Sequence, residues 1–430
     1  MSVHSVNLII DVYYMIVIKL KRLTMWAASL LALFIIYDRS YGESALDYWR
    51  EAQQLQKQGN LERALELYTQ GLHIEPQHQH AYKIYNNRGL IYYAHGNYLK
   101  ALDDFNKAIE FNPKDSELYY NRANAYRALK MVEQAILDYT TTIQLDPHSA
   151  LAYNNRGNLY LEKGNLDKAE TDYHKAIQAN PKDSEFHCNR GNLYRIRGYY
   201  DRALSDLDKA IALNPYNAVA YHYRAMVHFD KGNYRKAKAD IDDAVRTNPE
   251  DPELYCSRGD ICRAEGYYDW AVADYSKAIK LSPNYASAFN RRGSAYFERG
   301  DFVEAIEDFT NAIKINPRFA RAYYNRGDVY LAQKRYEDAR KDFTRVISLN
   351  PSYYRAYYKK GRIHFIQGSY AQAIDDCTKA IELSNIYRDA YYLRARAYQA
   401  QGKIQQAKSD LKKVEELGGS PAIEGVSDFK

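Results

Sequence analysis

Six basic side chains in the C-terminal third of this 430-residue sequence have the chemistry to bind an anion. They are Arg291, Arg321, Arg355, Lys359, Arg362 and Arg396. A guanidinium group binds a carboxylate or a phosphate through two parallel N–H donors, and a lysine adds a compact positive charge. Tyr324, Tyr358 and Tyr392 lie among these bases. The set predicts an acidic segment of a partner as the ligand, and the alternative interpretation is a charged face that is merely solvated.

A second candidate set consists of asparagines, most of them in the N-terminal half of the chain. The set is Asn87, Asn121, Asn124, Asn155, Asn158, Asn189 and Asn192, together with Asn325. An asparagine amide both donates and accepts hydrogen bonds. A series of them can therefore pair with the backbone of an extended peptide, whatever the side chains of that peptide are. The alternative interpretation is that asparagine is common at these positions and implies no ligand.

The chain offers no combination of residues that is typical of a catalytic site. No glycine-rich phosphate loop, nucleophile motif or pair of carboxylates stands out from the sequence. His73, His78 and His80 lie close together, but a His-x-His motif without further ligands is a poor metal signal. The four cysteines imply no disulfide framework. We therefore expect neither an enzyme, nor a metal, nor a cofactor.

The candidate residues recur because the sequence is periodic. An alanine returns every 34 residues from Ala101 to Ala407, and a proline returns with the same period from Pro113 to Pro351. A strict period of this length indicates a short supersecondary unit that is stacked on copies of itself. In the repeat that begins at Ala150, positions are counted from 1 at that residue, and the other repeats are numbered in the same way.

Within this repeat the spacing of residues predicts two helices and a turn. Tyr153 and Gly157 are four residues apart, as on one face of a helix. Gly164 and Asn165 interrupt the helical pattern with residues that favour turns. The pattern then resumes until Pro181, which cannot continue a helix and restricts the residue before it. The repeat is therefore predicted to be a pair of antiparallel helices.

This pattern resembles the tetratricopeptide repeat family, whose signature combines an aromatic residue, Gly/Ala-x-x-Tyr, a later Ala-x-x-x-aromatic and a closing proline. The resemblance covers eleven repeats in residues 45–421 and implies an all-α, right-handed superhelical solenoid of stacked helix-turn-helix repeats. The sequence departs from the family pattern in two places. Three extra residues lie between Pro76 and Tyr85, and Asn385 stands where a proline is expected. In the family, positions 2, 5, 6, 9, 12 and 13 of each first helix project into a concave groove. The candidate asparagines and bases occupy such positions.

Two charged positions of the repeat vary together. Position 7 is basic and position 23 is acidic in ten repeats, as at Arg156 and Asp172, whereas the first repeat has Glu51 and Leu67. Their joint absence predicts that the two side chains form an ion pair within each repeat. Small residues at position 8, such as Gly157, are expected to face the alanines of position 20. The aromatic residues at positions 4, 11 and 24 are expected to fill the core around them.

The resemblance implies an interaction scaffold that binds extended segments of other proteins in the groove. One alternative is the binding of single-stranded nucleic acid or another polyanion through the bases and tyrosines of the last four repeats. Glu298, Asp328 and Asp389 share that face, which makes nucleic acid the less favoured partner. A third interpretation is a regulatory subunit whose enzyme is another polypeptide. The sequence does not indicate an oligomeric state.

The clamp of the chaperone-binding members of the family is matched only in part. Those members hold a C-terminal carboxylate with lysines, arginines and asparagines from three successive repeats. Asn325, Arg355 and Lys359 match the later part of that clamp. Asn290 and Ser294 stand where its earlier lysine and asparagine are expected. We therefore do not expect chaperone binding.

The N-terminal segment differs in composition from the repeats. Lys19, Lys21 and Arg22 precede an apolar run over residues 23–37. This order is typical of a secretory signal peptide, and the run is short for a membrane span. We expect residues 1–42 to be a signal peptide or an N-terminal membrane anchor, and residues 422–430 to be a C-terminal tail. The expected location is exported or membrane-anchored, with the cytoplasm as the alternative.

Overall fold

The computed structural model describes residues 44–77 and 80–419. Over these residues the chain forms twenty-two α-helices and no strand, which confirms the predicted all-α class. The helices are α1 (Ala45–Lys57), α2 (Leu61–Ile74), α3 (Ala81–Ala94), α4 (Tyr98–Phe111), α5 (Ser116–Ala128), α6 (Val132–Leu145), α7 (Ala150–Glu162), α8 (Leu166–Ala179), α9 (Ser184–Ile196), α10 (Tyr200–Leu213), α11 (Ala218–Asp230), α12 (Tyr234–Thr247), α13 (Pro252–Ala264), α14 (Tyr268–Leu281), α15 (Ala286–Arg299), α16 (Phe302–Ile315), α17 (Ala320–Ala332), α18 (Tyr336–Leu349), α19 (Tyr354–Ile366), α20 (Tyr370–Leu383), α21 (Arg388–Ala400) and α22 (Ile404–Glu416).

The described chain divides into two compact units, with the boundary between Leu193 and Tyr194 inside α9. In the N-terminal unit, α1 packs on α2, α3 on α4, α5 on α6 and α7 on α8. In the C-terminal unit, the same pairing joins α11 to α12 and continues to α21 and α22. Within each unit the second helix of a pair also packs on the first helix of the next pair. Each unit is therefore a stack of helix-turn-helix repeats, as the period predicts.

A left-handed residue at position 15 reverses the chain inside each repeat. Gly164 has a φ of +74°, a conformation that costs glycine little because it has no Cβ. Lys130 and Lys334 occupy the same position in repeats 3 and 9, with φ values of 61° and 59°. The second helix then begins after Asn165, whose side chain accepts a hydrogen bond from the backbone N–H of Lys168. The turn predicted from the glycine and asparagine is thus confirmed.

The core of each repeat lies between its two helices. Ala169 at position 20 and Tyr173 at position 24 are both fully buried. Tyr153 at position 4 and Tyr160 at position 11 are only half-buried, so the expectation that all three aromatic positions are core was too broad. Their rings instead lie on either side of the Arg156 guanidinium group, each centroid 5.8 Å from its central carbon. These rings shield the ion-pair position from water.

The small residue at position 8 faces the aromatic ring of position 24. A Cβ added to Gly157 would lie 2.9 Å from the Cε1 atom of Tyr173. Small residues at positions 8 and 20 were expected to face one another. Gly361 comes nearer to this arrangement, because its nearest atoms include the Ala373 carbonyl oxygen at 3.3 Å. Position 24 is Cys377 in that repeat, and the smaller side chain brings the second helix backbone into contact. The side chain at position 24 therefore determines which atoms the residue at position 8 contacts.

None of the helices within residues 44–77 and 80–419 is both long and apolar enough to span a membrane. The segment predicted to direct export, residues 1–42, lies outside the described residues, as does the predicted tail, residues 422–430.

Candidate peptide-binding groove

The predicted ion pair between positions 7 and 23 is present and buried. Arg156 donates from Nε and Nη2 to the two carboxylate oxygens of Asp172, at 2.8 and 2.7 Å. Its Nη1 donates to the Thr140 hydroxyl of the preceding repeat at 2.9 Å. Burial raises the pKa of Asp172, although the guanidinium group opposes that shift. One arginine thus joins the two helices of its own repeat to the second helix of the repeat before it.

The same pairing recurs in both units. Arginine is the base in seven further repeats, and lysine in one. The pairs are Arg88–Asp104, Arg122–Asp138, Arg224–Asp240, Arg258–Asp274, Arg292–Asp308, Arg326–Asp342, Lys360–Asp376 and Arg394–Asp410. Because a buried carboxylate holds each of these bases, position 7 serves the fold and is closed to an external anion.

The asparagines at position 6 link neighbouring first helices. Their Nδ2 atoms donate to position 5 of the preceding repeat: Asn121 to the Asn86 amide oxygen at 2.9 Å, Asn155 to the Tyr120 hydroxyl at 3.1 Å, Asn189 to the Asn154 amide oxygen at 2.9 Å, and Asn325 to the Asn290 amide oxygen at 2.9 Å. Asn87 donates to the Tyr68 hydroxyl at 3.2 Å. Asn325 also donates from Nδ2 to the Ser294 hydroxyl at 3.4 Å. Each of these amides therefore uses at least one N–H group to fix the spacing between repeats.

The asparagines at position 9 accept hydrogen bonds from the core tyrosines. Tyr139 donates its hydroxyl to the Asn124 amide oxygen at 2.6 Å, and Tyr173 donates to the Asn158 amide oxygen at 2.7 Å. Burial raises the pKa of Tyr139, so its hydroxyl stays protonated and remains a donor. Asn192 holds the same position in α9 and is half-buried. A role in peptide binding stays a prediction for all of these asparagines. A bound peptide would have to use the amide N–H and C=O groups that are not already hydrogen-bonded within the fold.

Two of the six candidate bases are neutralised by the preceding repeat. Arg291 donates from Nη1 to Asp260 at 2.9 Å and from Nη2 to Glu253 at 3.1 Å. The Nζ atom of Lys359 lies 2.8 Å from an oxygen of Asp328. Burial raises the pKa of Asp328, and the nearby Lys359 opposes the shift. In both repeats a base at position 6 therefore pairs with an acid at position 9 of the repeat before it.

Two other bases stand exposed at position 2 of their repeats. Arg321, at the start of α17, has no ion pair or hydrogen bond from its side chain within residues 44–77 and 80–419. Arg355, at the start of α19, donates from Nε to the hydroxyl of the adjacent Tyr354 at 3.3 Å and has no carboxylate partner in the described chain. These two guanidinium groups are the ones whose charge remains open to a ligand.

The remaining two bases are half-buried at position 9. Arg396 donates from Nη1 to the Tyr392 hydroxyl at 3.4 Å. Arg362 lies where its charge lowers the pKa of both Asp328 and Tyr358, against the upward effect of burial. Both side chains thus contribute to the local electrostatics, and their part in binding a ligand stays a prediction.

A cavity of about 420 Å³ opens between the first helices of repeats 7, 8 and 9. Its charged lining consists of Asp260, Arg263, Arg291, Glu298, Arg321 and Asp328. Its remaining lining includes Ser287, Asn290, Ser294, Phe297, Phe319 and Asn325. Most of these residues hold positions 2, 5, 6, 9, 12 and 13, which are the positions expected to line the groove. The cavity therefore brings Arg291, Arg321 and Asn325 of the candidate set together.

All but one of the charged side chains that line this cavity form an ion pair. Asp260 pairs with Arg291, and Asp328 pairs with Lys359. Arg263 donates from Nη1 to Glu298 at 2.6 Å. Arg321 is the one charged lining residue that has no oppositely charged partner in the part of the chain that the structure describes. Arg321 is thus the lining residue whose guanidinium group remains free of an ion pair, while Arg291 is shared by Asp260 and Glu253.

Tyrosines extend this surface toward the end of the C-terminal unit. The rings of Tyr358 and Tyr387 have centroids 5.2 Å apart, and those of Tyr354 and Tyr387 are 4.9 Å apart. Burial raises the pKa of Tyr358 to about 12, so the phenol is neutral at physiological pH. Next to Arg355, the cluster offers ring faces beside an exposed guanidinium group.

Sequence reasoning placed Asp328 on this face but missed its pairing with Lys359, and it missed the pairing of Asp260 with Arg291. The signal was available, because Asp260 and Asp328 stand at position 9 of the repeats that precede these bases. Position 6 has to be compared with position 9 of the repeat before it, 31 residues upstream, to find the pairing. The aromatic floor that Phe319 gives the cavity was missed as well, since position 34 was not among the expected groove positions.

Family models of two descriptions match the sequence. The model described as TPR repeat matches residues 123–164, 259–298 and 293–334. Models described as tetratricopeptide repeat match residues 82–115, 105–136, 150–183, 184–217, 218–251, 320–353, 354–384 and 389–417. The chain belongs to the tetratricopeptide repeat family. Tetratricopeptide repeats form protein-interaction scaffolds in general, and proteins built from them are generally not enzymes.

Comparison with solved structures gives three similar proteins, and the first two support the fold. A tetratricopeptide repeat protein from Parabacteroides merdae is 26% identical over 59% of this chain and 99% of its own, with a TM-score of 0.52. A monomeric IFIT1 mutant is 16% identical over 79% of this chain and 91% of its own, with a TM-score of 0.50. MamA is 29% identical over 37% of this chain and 94% of its own, with a TM-score of 0.36. No curated protein sequence matches the chain significantly.

Proposed function

We propose that this tetratricopeptide repeat protein is a scaffold that holds an extended, acidic segment of a partner protein on the groove positions of its C-terminal unit. Arg321 and Arg355 are the contacts that bind the carboxylates of that segment. The observation that carries the proposal is that Arg321 alone, among the charged lining residues of the cavity, lacks an oppositely charged partner within the described residues.

The geometry favours carboxylates on an extended chain. Arg321 and Arg355 occupy the same position in repeats 9 and 10, so a segment that follows the stack meets one exposed guanidinium group in each of these two repeats. Each can bind a carboxylate with two hydrogen bonds. The amide of Asn325 and the rings of Phe297 and Phe319 line the cavity beside Arg321 and can contact the peptide between its charges.

A polyanion such as single-stranded nucleic acid fits this surface less well. Asp260, Glu298 and Asp328 also line the cavity, and a continuous row of phosphates would have to pass close to them. The IFIT1 mutant was solved with Gppp-AAAA, but its likeness to this chain shows the fold alone. Nucleic-acid binding is therefore an outcome that the test must distinguish.

The test compares three labelled probes on the full chain by fluorescence anisotropy. The first is a short peptide of alternating glutamate and alanine, the second is the same peptide with glutamine for glutamate, and the third is an oligouridylate. We expect the acidic peptide alone to bind, and Arg321→Ala with Arg355→Ala to weaken it by about tenfold or more, which is at least ~1.4 kcal/mol. Preference for the oligouridylate, or binding of the acidic peptide that the double substitution leaves unchanged, would overturn the proposal.

We further propose that residues 1–42 direct the chain to an exported or membrane-anchored location, with attachment through residues 23–37 if the segment is retained. The support is the order of basic residues and apolar run in the sequence. Mass spectrometry of the mature N-terminus, on protein made in its own cells, tests this. An N-terminus near residue 43, or a full-length chain in the membrane fraction, supports the proposal. A full-length chain in the cytoplasm contradicts it.

A further inference from the structure

Repeat 7 departs from the other repeats at a position that faces solvent. Position 19 is charged or an amide in ten repeats, where it is Arg63, Lys100, Gln134, Lys168, Arg202, Lys236, Glu304, Asp338, Gln372 and Gln406. In repeat 7 it is Trp270, whose side chain is 68% exposed. Exposing an indole ring to water is unfavourable, and Trp is enriched at the centres of protein interfaces. The other ten repeats show that the fold does not need an aromatic residue there.

A second departure in the same repeat is a smaller side chain at position 11. Position 11 is a tyrosine, a histidine or a leucine elsewhere, and in repeat 7 it is Cys262. The smaller side chain lies on the floor of a groove of about 690 Å³, and Trp270 stands at its edge. Tyr267, which is 58% exposed, also lines this groove. We call it the Trp270 groove and define it by Arg235, Lys238, Ala239, Asp242, Cys262, Glu265, Tyr267 and Trp270.

The charges of the Trp270 groove depart from the repeat pattern as well. Position 18 is acidic in six repeats, for example Asp167, but is Arg235 in repeat 6. Lys238 stands at position 21, which is apolar in seven of the eleven repeats. Neither base has a carboxylate partner within the described residues, and the Lys238 ammonium lies 5.7 Å from the centroid of the Trp270 ring. Two acids line the groove as well: Asp242 is paired with Arg258 at 2.9 Å, whereas Glu265 has no basic partner in that part of the chain. The two unpaired bases therefore outnumber the one unpaired acid.

We propose that the Trp270 groove docks a segment of a partner protein that presents a large apolar side chain next to acidic residues. The apolar side chain enters the space that Cys262 leaves and packs on the exposed ring of Trp270. The acidic residues pair with Arg235 and Lys238. This surface is built from α12 and the helices of repeat 7, and it shares no residue with the lining of the cavity at Arg321. This would be a second binding site on the scaffold, and its ligand differs from the acidic segment proposed for the cavity at Arg321.

The repeats themselves supply variants that spare the fold. Trp270→Gln restores a residue found at position 19 in three other repeats, and Cys262→Tyr restores the ring that fills position 11. Arg235→Asp restores the usual acid of position 18. Leu99→Gln is the matched control, because Leu99 is also 68% exposed but belongs to repeat 2. Circular dichroism melting curves verify that each variant is folded.

The experiment selects binders to the full chain from a displayed library of random peptides and measures the affinity of the selected peptides. We expect them to share a large apolar residue flanked by Asp or Glu. Trp270→Gln, Cys262→Tyr and Arg235→Asp should each weaken them by about tenfold, whereas Leu99→Gln should not. The double substitution of Arg321 and Arg355 should also leave them bound, which separates this site from the groove.

Three results would overturn the proposal. Selected peptides could lack acidic residues, or they could bind Trp270→Gln as tightly as the unchanged chain. Sedimentation could also show self-association that Trp270→Gln abolishes, which would make a second copy of this chain the occupant. Tryptophan fluorescence gives an independent readout, because the sequence has two other tryptophans, Trp26 and Trp49, and a change that belongs to Trp270 should disappear in Trp270→Gln.

Discussion

The Nζ atom of Lys359 lies 2.8 Å from the carboxylate of Asp328, and this ion pair joins α19 to α17. It occupies the same two positions of the repeat as the pair between Arg291 and Asp260, at 2.9 Å. The relationship separates the bases at position 6 from those at position 2. Those at position 6 serve contact between repeats, and those at position 2, such as Arg321, are open to a ligand.

Replacing Lys359 by methionine should therefore lower stability more than it lowers affinity for an acidic peptide. The substitution leaves the Asp328 carboxylate largely buried without its partner, at a cost of about 1–3 kcal/mol. Urea unfolding measures the loss. Adding Asp328→Asn should recover most of it, and equal stability of the single and double variants would contradict the pairing.

Replacing Arg156 by glutamine should cost more, about 3–5 kcal/mol, because Asp172 would remain as an unpaired charge that is almost wholly buried. Urea unfolding again provides the measurement. The matched control is Arg156→Gln combined with Asp172→Asn, which replaces the ion pair by two neutral amides and should be clearly more stable than Arg156→Gln. An unchanged midpoint for Arg156→Gln would refute the structural role of the pair.

His222 should make the C-terminal unit less stable in mild acid. Its Nε2 atom lies 2.8 Å from the Ser257 hydroxyl, and burial lowers its pKa below the ordinary 6.5. As pH falls below about 6.5, the unfolded chain takes up a proton that the folded histidine does not, so the free energy of unfolding decreases. His222→Asn should reduce this dependence of stability on pH. Asparagine already occupies position 5 in another repeat, as Asn154.

Urea unfolding of the unchanged chain and of His222→Asn, at pH values on both sides of the ordinary histidine pKa, measures this difference in the pH dependence of stability. His228 is a second histidine whose pKa burial lowers, so the variant should keep part of the pH dependence. Parallel stability curves for the two proteins would show that His222 does not titrate as expected.

Lys334 adopts a left-handed conformation with a φ of 59°, where most repeats have a glycine. Lys334→Gly should therefore stabilise the chain by up to ~1 kcal/mol, since the Cβ of a lysine is unfavourable in that region. The reverse change, Gly164→Lys, should destabilise it. Thermal melting curves of the two variants provide the measurement, and shifts in the same direction would contradict the turn geometry.

The features that the sequence predicted well are those that one repeat contains by itself. The helix pair and the bond between Arg156 and Asp172 depend on residues within 34 positions, and the period shows them ten times over. Contacts between repeats were harder to predict, because Asp328 and Lys359 belong to different repeats and only stacking brings them together. The half-buried state of Tyr153 was missed because a ring that covers a guanidinium group has the same helical spacing as a core ring.

The Trp270 groove shows a different limit. The unusual residues Cys262 and Trp270 are visible in an alignment of the repeats, but their proximity to Arg235 depends on how α12 packs against repeat 7. A period describes what the repeats share, and the binding sites proposed for this chain depend on where single repeats depart from it.

The measurement that tests the account most directly is the affinity of the full chain for the glutamate–alanine peptide, compared with two variants. One variant carries Arg321→Ala and Arg355→Ala, and the other carries Arg318→Ala, which removes an exposed arginine just before α17 that does not line the cavity. We expect the first variant to lose binding by about tenfold or more and the second to bind like the unchanged chain. Equal affinities for all three proteins, or an equal loss in both variants, would contradict it.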